Sequence, residues 1–551
     1  MGTRYDHLNR EELLRLLEAR DQRDATRFGL VWEANEIERD RALNNDFVAL
    51  DLVRKECVGS APWRNLIIEG DNFDALRYLR MTFAGQVKCI YIDPPYNTGN
   101  KDFVYNDHFV GKDDSWRHST WCEFLYQRLM VAKELLRQDG MIFVSIDDNE
   151  LFHLGLLMNR VFGEDNFLAA IAWEKRFTRS NNANLFYSVK DTVLAYRRSA
   201  AVSFLREPRT EKSDAIYKNP DGDLRGVWTS ASYVNPATKA QRPNLVYPIL
   251  NPTTGDEVCH PTHAWKFDRT SHEEHVKQKL LWWGKNGDAR FPRLKVFPKT
   301  EDAGLVPLDI WKHEDTGTTD EGGQEVKSIF GSAVFTNPKP TRLIERVLRL
   351  STGPDDLVVD FFAGSGTTAH SVHKLNAEDG GRRRCILVSS TEATTDEPDK
   401  NLCRDVCAER MRRVINGYTS RDGEEVPGLG GDFAYLRTRR IQPGRLLEIE
   451  HAQVWIALQL AHLDRFSPYE EAPFLWAGDE ESAICYVPRF RREFAAALRR
   501  QVKESTASSV TIYSWQPQTL KQHIRDSHVT HLSVSDTLTR RFGLNLTLTP
   551  A

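Results

Sequence analysis

The sequence predicts an α/β fold, with a mostly parallel sheet and helices on both faces. Three observations support this. Short, continuously apolar runs recur on either side of a long polar stretch, as in strands buried on both faces. Segments of helical periodicity separate those runs. Two of the runs end in a carboxylate followed by a loop rich in proline or glycine, near residues 93–99 and 360–366.

In chain order, residues 4–45 place leucines near helical spacing amid charges, which predicts an N-terminal helical extension over 1–60. "NLIIEGD" (65–71) is a strand candidate, and "NFDALRYLRMTF" is the helix after it. "VKCIYID" (87–93) is a second strand. "STWCEFLYQRLMVAKELLRQDG" puts Trp121, Phe124, Leu125, Leu129, Ala132, Leu135 and Leu136 on one side of a helix that Gly140 is expected to stop. "MIFVSID" (141–147) is a third strand, followed by a helix closed at Gly163. "FLAAIAW" and "DTVLAYRR" are two more apolar runs.

The rhythm lapses between about 199 and 331, where proline, glycine, asparagine, tryptophan and basic residues dominate. It resumes with "PTRLIERVLRL", "DLVVDFFAGSGTTAHSVHKL" and "RRCILVSS". Past about 418, "QVWIALQLAHLDRF" and "RREFAAALRRQVKE" read as helices and "SSVTIYSW" as a strand. The expected domains are 1–60, 61–200, an insertion at 201–330, 331–420, and a C-terminal region at 421–551 whose expected use is docking a partner.

Bulk properties narrow the class. A chain of 551 residues allows two to four domains at about 100–200 residues each. No run of about 18 apolar residues occurs, so no membrane-spanning helix is expected. The charged N-terminus lacks a secretory core, and Asp6 stands where a myristoylation signal needs Ser or Thr. Eight scattered cysteines without a C-x-x-C pair read as reduced thiols of a cytoplasmic chain. "CHPTH" (Cys259, His260, His263) has no second Cys/His pair at finger spacing, so no metal is expected. The net charge of −4 conceals an asymmetry. Residues 174–299 carry 22 Lys and Arg against 13 Asp and Glu, the balance of a surface that meets a polyanion or of a solvated insertion.

Two loops carry the chemistry. In "DLVVDFFAGSGTTAHSV", Gly364 and Gly366 permit a tight turn between a strand and a helix opened by Thr367 and Thr368. Such a turn offers N–H groups and the positive end of a helix to a ligand. No Lys-Ser/Thr pair follows Gly366, so this is not a nucleotide-phosphate loop. Ala369 at the third glycine position leaves a dinucleotide site open as a rival. Asp360 suits a ligand with an amino group and no pyrophosphate, a description that fits S-adenosylmethionine. The other loop, "DPPYNTG", stiffens a strand end with Pro94 and Pro95 and removes their N–H donors.

Together these stretches resemble the catalytic and cofactor motifs of amino-methylating DNA methyltransferases. The catalytic motif comes first and the cofactor motif last, which resembles the permuted β class. "RFGLVWE" (27–33), "NLIIEGDNFDALRYL", "SIDDNE" (145–150) and "NPKPTRLIERVL" (337–348) extend the similarity to modification subunits of type III restriction–modification systems, over roughly residues 25–420.

The resemblance implies a Rossmann-like methyltransferase fold with an inserted target-recognition domain. It implies S-adenosylmethionine as cofactor and double-stranded DNA as substrate. It further implies a homodimer and a separate helicase–endonuclease subunit as partners. Asp93, Pro94, Pro95 and Tyr96 are the implied catalytic residues, and a first-position Asp resembles enzymes that act on the N6 amine of adenine. Asp93 and the Pro94 carbonyl would accept the amine hydrogens, and Tyr96 would stack on a flipped base.

The cofactor would lie on Asp360, Phe361, Phe362, Ala363, Gly364, Ser365, Gly366 and Thr367. Lys339 and Pro340 would pack over its methionine part. Asp71 resembles the acid that contacts the cofactor's adenine, yet it equally suits a helix N-cap. Glu392 matches the ribose-binding acid, although the family places that acid nearer the strand end. Phe103 would be a second aromatic wall or plain core. The basic segment, with Trp228, Tyr233, Trp265, Trp282 and Trp283 interleaved, would read the DNA. The open alternatives are a stand-alone adenine or cytosine-N4 enzyme, an RNA methyltransferase, and a non-catalytic recognition subunit.

Overall fold

The computed structural model describes residues 46–99, 104–105, 108–109, 117–178, 185–209, 211–298, 304–394, 397–442, 445 and 448–542. The helix expected at 4–45, the stretch 27–33 and Phe103 lie outside them. The chain forms two compact units. One comprises the chain up to Ser203 and from Leu308 onward; the other is Phe204–Pro307.

The first unit is built on a ten-stranded sheet. Its strands are β1 (Phe47–Leu52), β2 (Leu66–Glu69), β3 (Val87–Ile92), β4 (Leu136–Ile146), β5 (Phe167–Glu174), β6 (Lys190–Arg197), β7 (Ile310–Trp311), β8 (Leu357–Asp360), β9 (Arg384–Ser389) and β10 (Ala434–Ile441). They lie in the order β1-β10-β2-β9-β8-β3-β4-β6-β5-β7. The six strands from β10 to β4 are all parallel. Pairing is antiparallel between β1 and β10, between β4 and β6, and between β6 and β5. Cys89, Ile90, Tyr91 and Ile92 are buried in succession. Successive strand side chains point to opposite faces, so both faces of the sheet are covered.

The helices that matter for the site are α1 (Asn72–Phe83), α2 (Arg117–Leu135), α3 (Leu151–Phe162), α4 (Thr319–Phe330), α5 (Thr341–Ser351), α6 (Thr367–Asp379) and α7 (Glu409–Asn416). Most follow the sequence reading. Gly140 does not stop α2, however. The helix ends at Leu135, and the chain enters β4 at Leu136 with Gly140 inside the strand. A Cβ at Gly140 would stand 2.9 Å from the Arg137 carbonyl oxygen and 3.0 Å from that of Val87. The glycine therefore permits a close backbone approach where the β3–β4 register slips.

One feature of the topology positions the site. Parallel β3 and β8 are neighbours, with Val358 opposite Cys89 and Val359 opposite Ile90. The loops at their carboxyl ends therefore leave the same edge of the sheet. Along the chain, the strand after β3 is β4 on one side, and the strand after β8 is β9 on the other. Connections that diverge from two adjacent parallel strands open a crevice between them.

The unit boundaries differ from the expected ones. The insertion stops at Pro307, not at 330. Ile310 and Trp311 pair with Ala172 and Trp173, and the Trp173 indole donates to the Gly317 carbonyl at 3.1 Å. At the other limits, β1 lies before residue 61 and β10 lies past 420, and both are strands of the main sheet. The C-terminal region adds a four-stranded sheet, Leu475–Gly478, Ser482–Val487, Ser509–Ser514 and Val529–Ser533.

The second unit has its own core of Tyr233, Tyr247, Ile249, Trp265 and Trp283. Most of the aromatics interleaved in the basic segment therefore belong to an interior. Trp228, Tyr233, Trp265 and Trp283 are buried, and only Trp282 is half-buried. Large apolar side chains hold together a unit that has little regular structure. Near its limits, Glu207 and Leu305 exchange backbone hydrogen bonds of 2.8 and 2.9 Å, closing the segment on itself.

No helix among the described residues is long and apolar enough to cross a membrane. The eight cysteines are free, and six are buried.

Trp265→Ala removes one of the two tryptophans of the second unit's core. It should cost that unit about 3–5 kcal/mol, read as an earlier transition in urea unfolding followed by near-UV circular dichroism.

Candidate active site

The loop after β3 is held from four sides. Asp93 Oδ2 accepts a 2.5 Å hydrogen bond from Lys339 Nζ. Its other oxygen, Oδ1, is buried and has no hydrogen-bond partner among the described residues. The Pro95 carbonyl accepts from the indole of Trp121 at 2.7 Å. Tyr96 donates its hydroxyl to Asp191 at 3.4 Å, and Asp191 is paired with Lys175 at 2.6 Å. Burial, Asp93 and Asp191 push the Tyr96 phenol well up, so it stays protonated. The Lys339 ammonium lies 5.0 Å from the Tyr96 ring centre.

Asn97 ends the loop in the left-handed region, at φ 54°, a conformation asparagine tolerates better than most residues. It is fully buried and donates to Glu150 at 2.5 Å.

The turn after β8 is equally determined. Asp360 is buried; Oδ1 accepts from the Phe362 N–H at 3.0 Å and Oδ2 from the Thr368 hydroxyl at 2.5 Å. Burial, helped by the nearby charge of Asp93, pushes its carboxyl up to about 7. Gly364 and Gly366 have φ of +49° and +78°, so other residues would be strained there. A side chain at 364 would also meet Phe335 at 2.9 Å. Ala363 N–H reaches the Val388 carbonyl of β9 at 3.1 Å.

Below the turn lies Arg410 of α7, with no exposed surface. It donates to Thr367 Oγ1 at 2.9 Å, to Ser365 Oγ at 3.2 Å and to Glu325 of α4 at 3.3 Å. Glu325 also accepts from the backbone N–H and the hydroxyl of Thr341, at the start of α5.

Lys339 joins the two loops. Its ammonium holds Asp93, while its carbonyl accepts from Thr367 Oγ1 at 3.2 Å. The structure thus brings Asp93, Lys339, Asp360 and residues 361–367 together. Asp71 and Glu392 make other contacts. Asp71 is the N-cap of α1, accepting from Phe73 and Asp74 N–H, and its second oxygen pairs with Arg128 at 3.1 Å. Asn72 makes the link to the turn, donating to the Phe361 carbonyl at 3.0 Å. Glu392 is exposed on the loop after β9 and pairs with Lys400 at 3.2 Å.

Sequence reasoning missed Trp121, Asn97, Glu150 and Arg410. Asn97 and Glu150 stood inside stretches singled out above, whereas nothing in "ERMRRVIN" distinguishes one arginine from the next.

Comparison with known proteins bears on this arrangement. A family model described as DNA methylase matches residues 87–394, more than half of the chain and inclusive of both loops. The chain belongs to the DNA methylase family. Among curated members, it is similar to the StyLTI Mod subunit of a type III restriction–modification enzyme from Salmonella typhimurium. The two are 33% identical over 407 residues, covering 69% of this chain and 60% of the relative. It is similar to the EcoPI Mod subunit of Escherichia phage P1, at 31% identity covering 60% of this chain and 58% of the relative. It is also similar to the type II methyltransferase M.KpnI of Klebsiella pneumoniae, at 33% identity covering 59% and 80%. The chain therefore spans about 60% of the length of the two Mod subunits.

Two outcomes follow for the methylase turn. Between the ordinary carboxyl value of 3.8 and about 7, folded Asp360 binds more protons than the unfolded chain does. Its contribution to stability therefore falls as pH rises through that window. Asp360→Asn should remove that slope from urea unfolding measured across the window. Arg410→Met leaves Glu325 without its buried partner and should cost roughly 3 kcal/mol or more by the same measurement.

Proposed function

We propose that this chain transfers a methyl group from S-adenosylmethionine to the N6 amine of adenine in double-stranded DNA. In this reading it is the modification and recognition subunit of a type III restriction–modification system. It works in the cytoplasm as a homodimer, and a separate helicase–endonuclease subunit carries out restriction. Family membership and the similarity to Mod subunits support the reaction class and the setting. The observation that carries the reading is the position of Asp93. It stands at the mouth of the β3/β8 crevice, tied to the glycine turn by Lys339, with one buried oxygen still lacking a partner.

An exocyclic amine is a poor nucleophile while its lone pair is delocalised into the base. Asp93 Oδ1 would accept one amine hydrogen, in place of the bond it lacks. The Pro94 carbonyl would accept the other. Trp121 engages the next carbonyl, that of Pro95, and so anchors the peptide that follows. Two acceptors draw the nitrogen towards tetrahedral geometry and direct its lone pair to the crevice.

Lys339 keeps Asp93 oriented, while Tyr96, anchored through its hydroxyl, offers a ring for the base. Stacking of this kind is worth about 1–3 kcal/mol. The target must leave the duplex to reach this loop.

S-adenosylmethionine, when bound, supplies the electrophilic methyl group. The residues present fit it. The turn at Gly364–Gly366 takes a shape that side chains would block, and Asp360, whose carboxyl burial raises to about 7, would ionise beside an ammonium. Residues 361–367 would line that pocket, with Lys339 and Pro340 closing it towards Asp93. Asp71 caps α1 and pairs with Arg128, and Glu392 pairs with Lys400. The second unit, rich in lysine and arginine, would read the sequence, its buried tryptophans serving as core.

Incubation with tritiated S-adenosylmethionine and duplex DNA should place label on N6-methyladenine after digestion. Label on cytosine, on RNA only, or on neither would refute this reading. Asp93→Ala should leave cofactor affinity within about threefold of the parent while lowering transfer by at least a hundredfold, the scale of losing an electrostatic partner in the transition state.

A further inference from the structure

We propose that His118, Glu150 and His153 form a divalent transition-metal site beneath the Asp93–Asn97 loop. Glu150 comes from the loop between β4 and α3, His153 from the first turn of α3, and His118 from the start of α2. Glu150 is fully buried, while the two imidazoles keep about a third of their surface exposed. One ligand atom from each residue lies within 4.8 Å of the other two. The imidazoles stack at 4.6 Å between centres.

The hydrogen-bond pattern points to a cation. Glu150 Oε1 accepts from Asn97 at 2.5 Å and is hydrogen-bonded to His118 Nδ1 at 2.6 Å. Glu150 Oε2 and His153 Nδ1 lie 2.9 Å apart, an ion pair when the imidazole is protonated, yet neither buried atom forms a hydrogen bond with the other or with any described group. Buried polar atoms without partners are costly and uncommon. A carboxylate oxygen and a ring nitrogen that face each other out of hydrogen-bonding line would both be satisfied by one metal ion between them. Two imidazole nitrogens and one carboxylate suit zinc, cobalt or nickel better than calcium or magnesium, which prefer oxygen. Three protein ligands leave a position for water on the exposed side of the rings.

Such an ion would act through position. It would fix the Glu150 carboxylate, which holds Asn97, and Asn97 fixes the left-handed end of the loop that carries Asp93. The inference does not rest on methyl transfer, because metal binding is measured directly.

The test is isothermal titration of the full chain, freed of metal by chelation, with zinc chloride, and with cobalt chloride for its visible absorption bands. One site per chain is expected. His153→Ala and His118→Ala, both altering part-exposed residues, should each weaken it by about 10–100-fold, with folding checked by circular dichroism. His260→Ala alters the exposed Cys259–His260–His263 stretch of the second unit and should leave that site unchanged. No saturable binding, binding insensitive to both His153→Ala and His118→Ala, or binding lost only in His260→Ala would each overturn the proposal.

Discussion

The site depends on a lysine that is held at both ends. Lys339 reaches Asp93 with its side chain and Thr367 with its backbone carbonyl. Either contact alone would leave one loop free to drift from the other. Together they set the separation between the carboxylate after β3 and the glycine turn after β8. Sheet pairing does the coarse work by making those strands neighbours, and the lysine completes it. An ammonium buried between a carboxylate and an aromatic ring must keep its partners to offset the loss of water, so this junction resists rearrangement.

A second layer supports the first. Arg410 holds the floor of the turn, and Glu325 connects that arginine to Thr341, two residues past Lys339. On the other side, Trp121 and Glu150 hold Pro95 and Asn97. Asp93 is thus flanked by residues that cannot move without breaking buried hydrogen bonds. That rigidity is what a reaction governed by positioning requires.

Much of this was legible in the sequence. The apolar runs marked the strands, because burial on both faces leaves little choice of residue. Asp93 and the glycine turn declared themselves by unusual local chemistry, namely two prolines in one and two glycines of positive φ in the other. What the sequence hid was of two kinds. Asp71 carries a side chain that fits both a cap and a ligand contact, and only geometry decides between them. Arg410 and Trp121 act through long-range contacts, so their neighbours in the chain reveal nothing. The place of the second unit's tryptophans was hidden for a related reason. A unit with short strands and little helix needs bulky rings for its interior, and composition alone cannot separate interior rings from a binding face.

The paired backbone of Glu207 and Leu305 has an evolutionary consequence. A segment that enters and leaves through one pinched neck, with a hydrophobic interior of its own, behaves as an interchangeable cassette. Replacement by another segment of different length or sequence asks little of the sheet beyond two adjacent anchoring points. Under the proposed function, such a replacement would change the target while leaving the junction around Asp93 as it is.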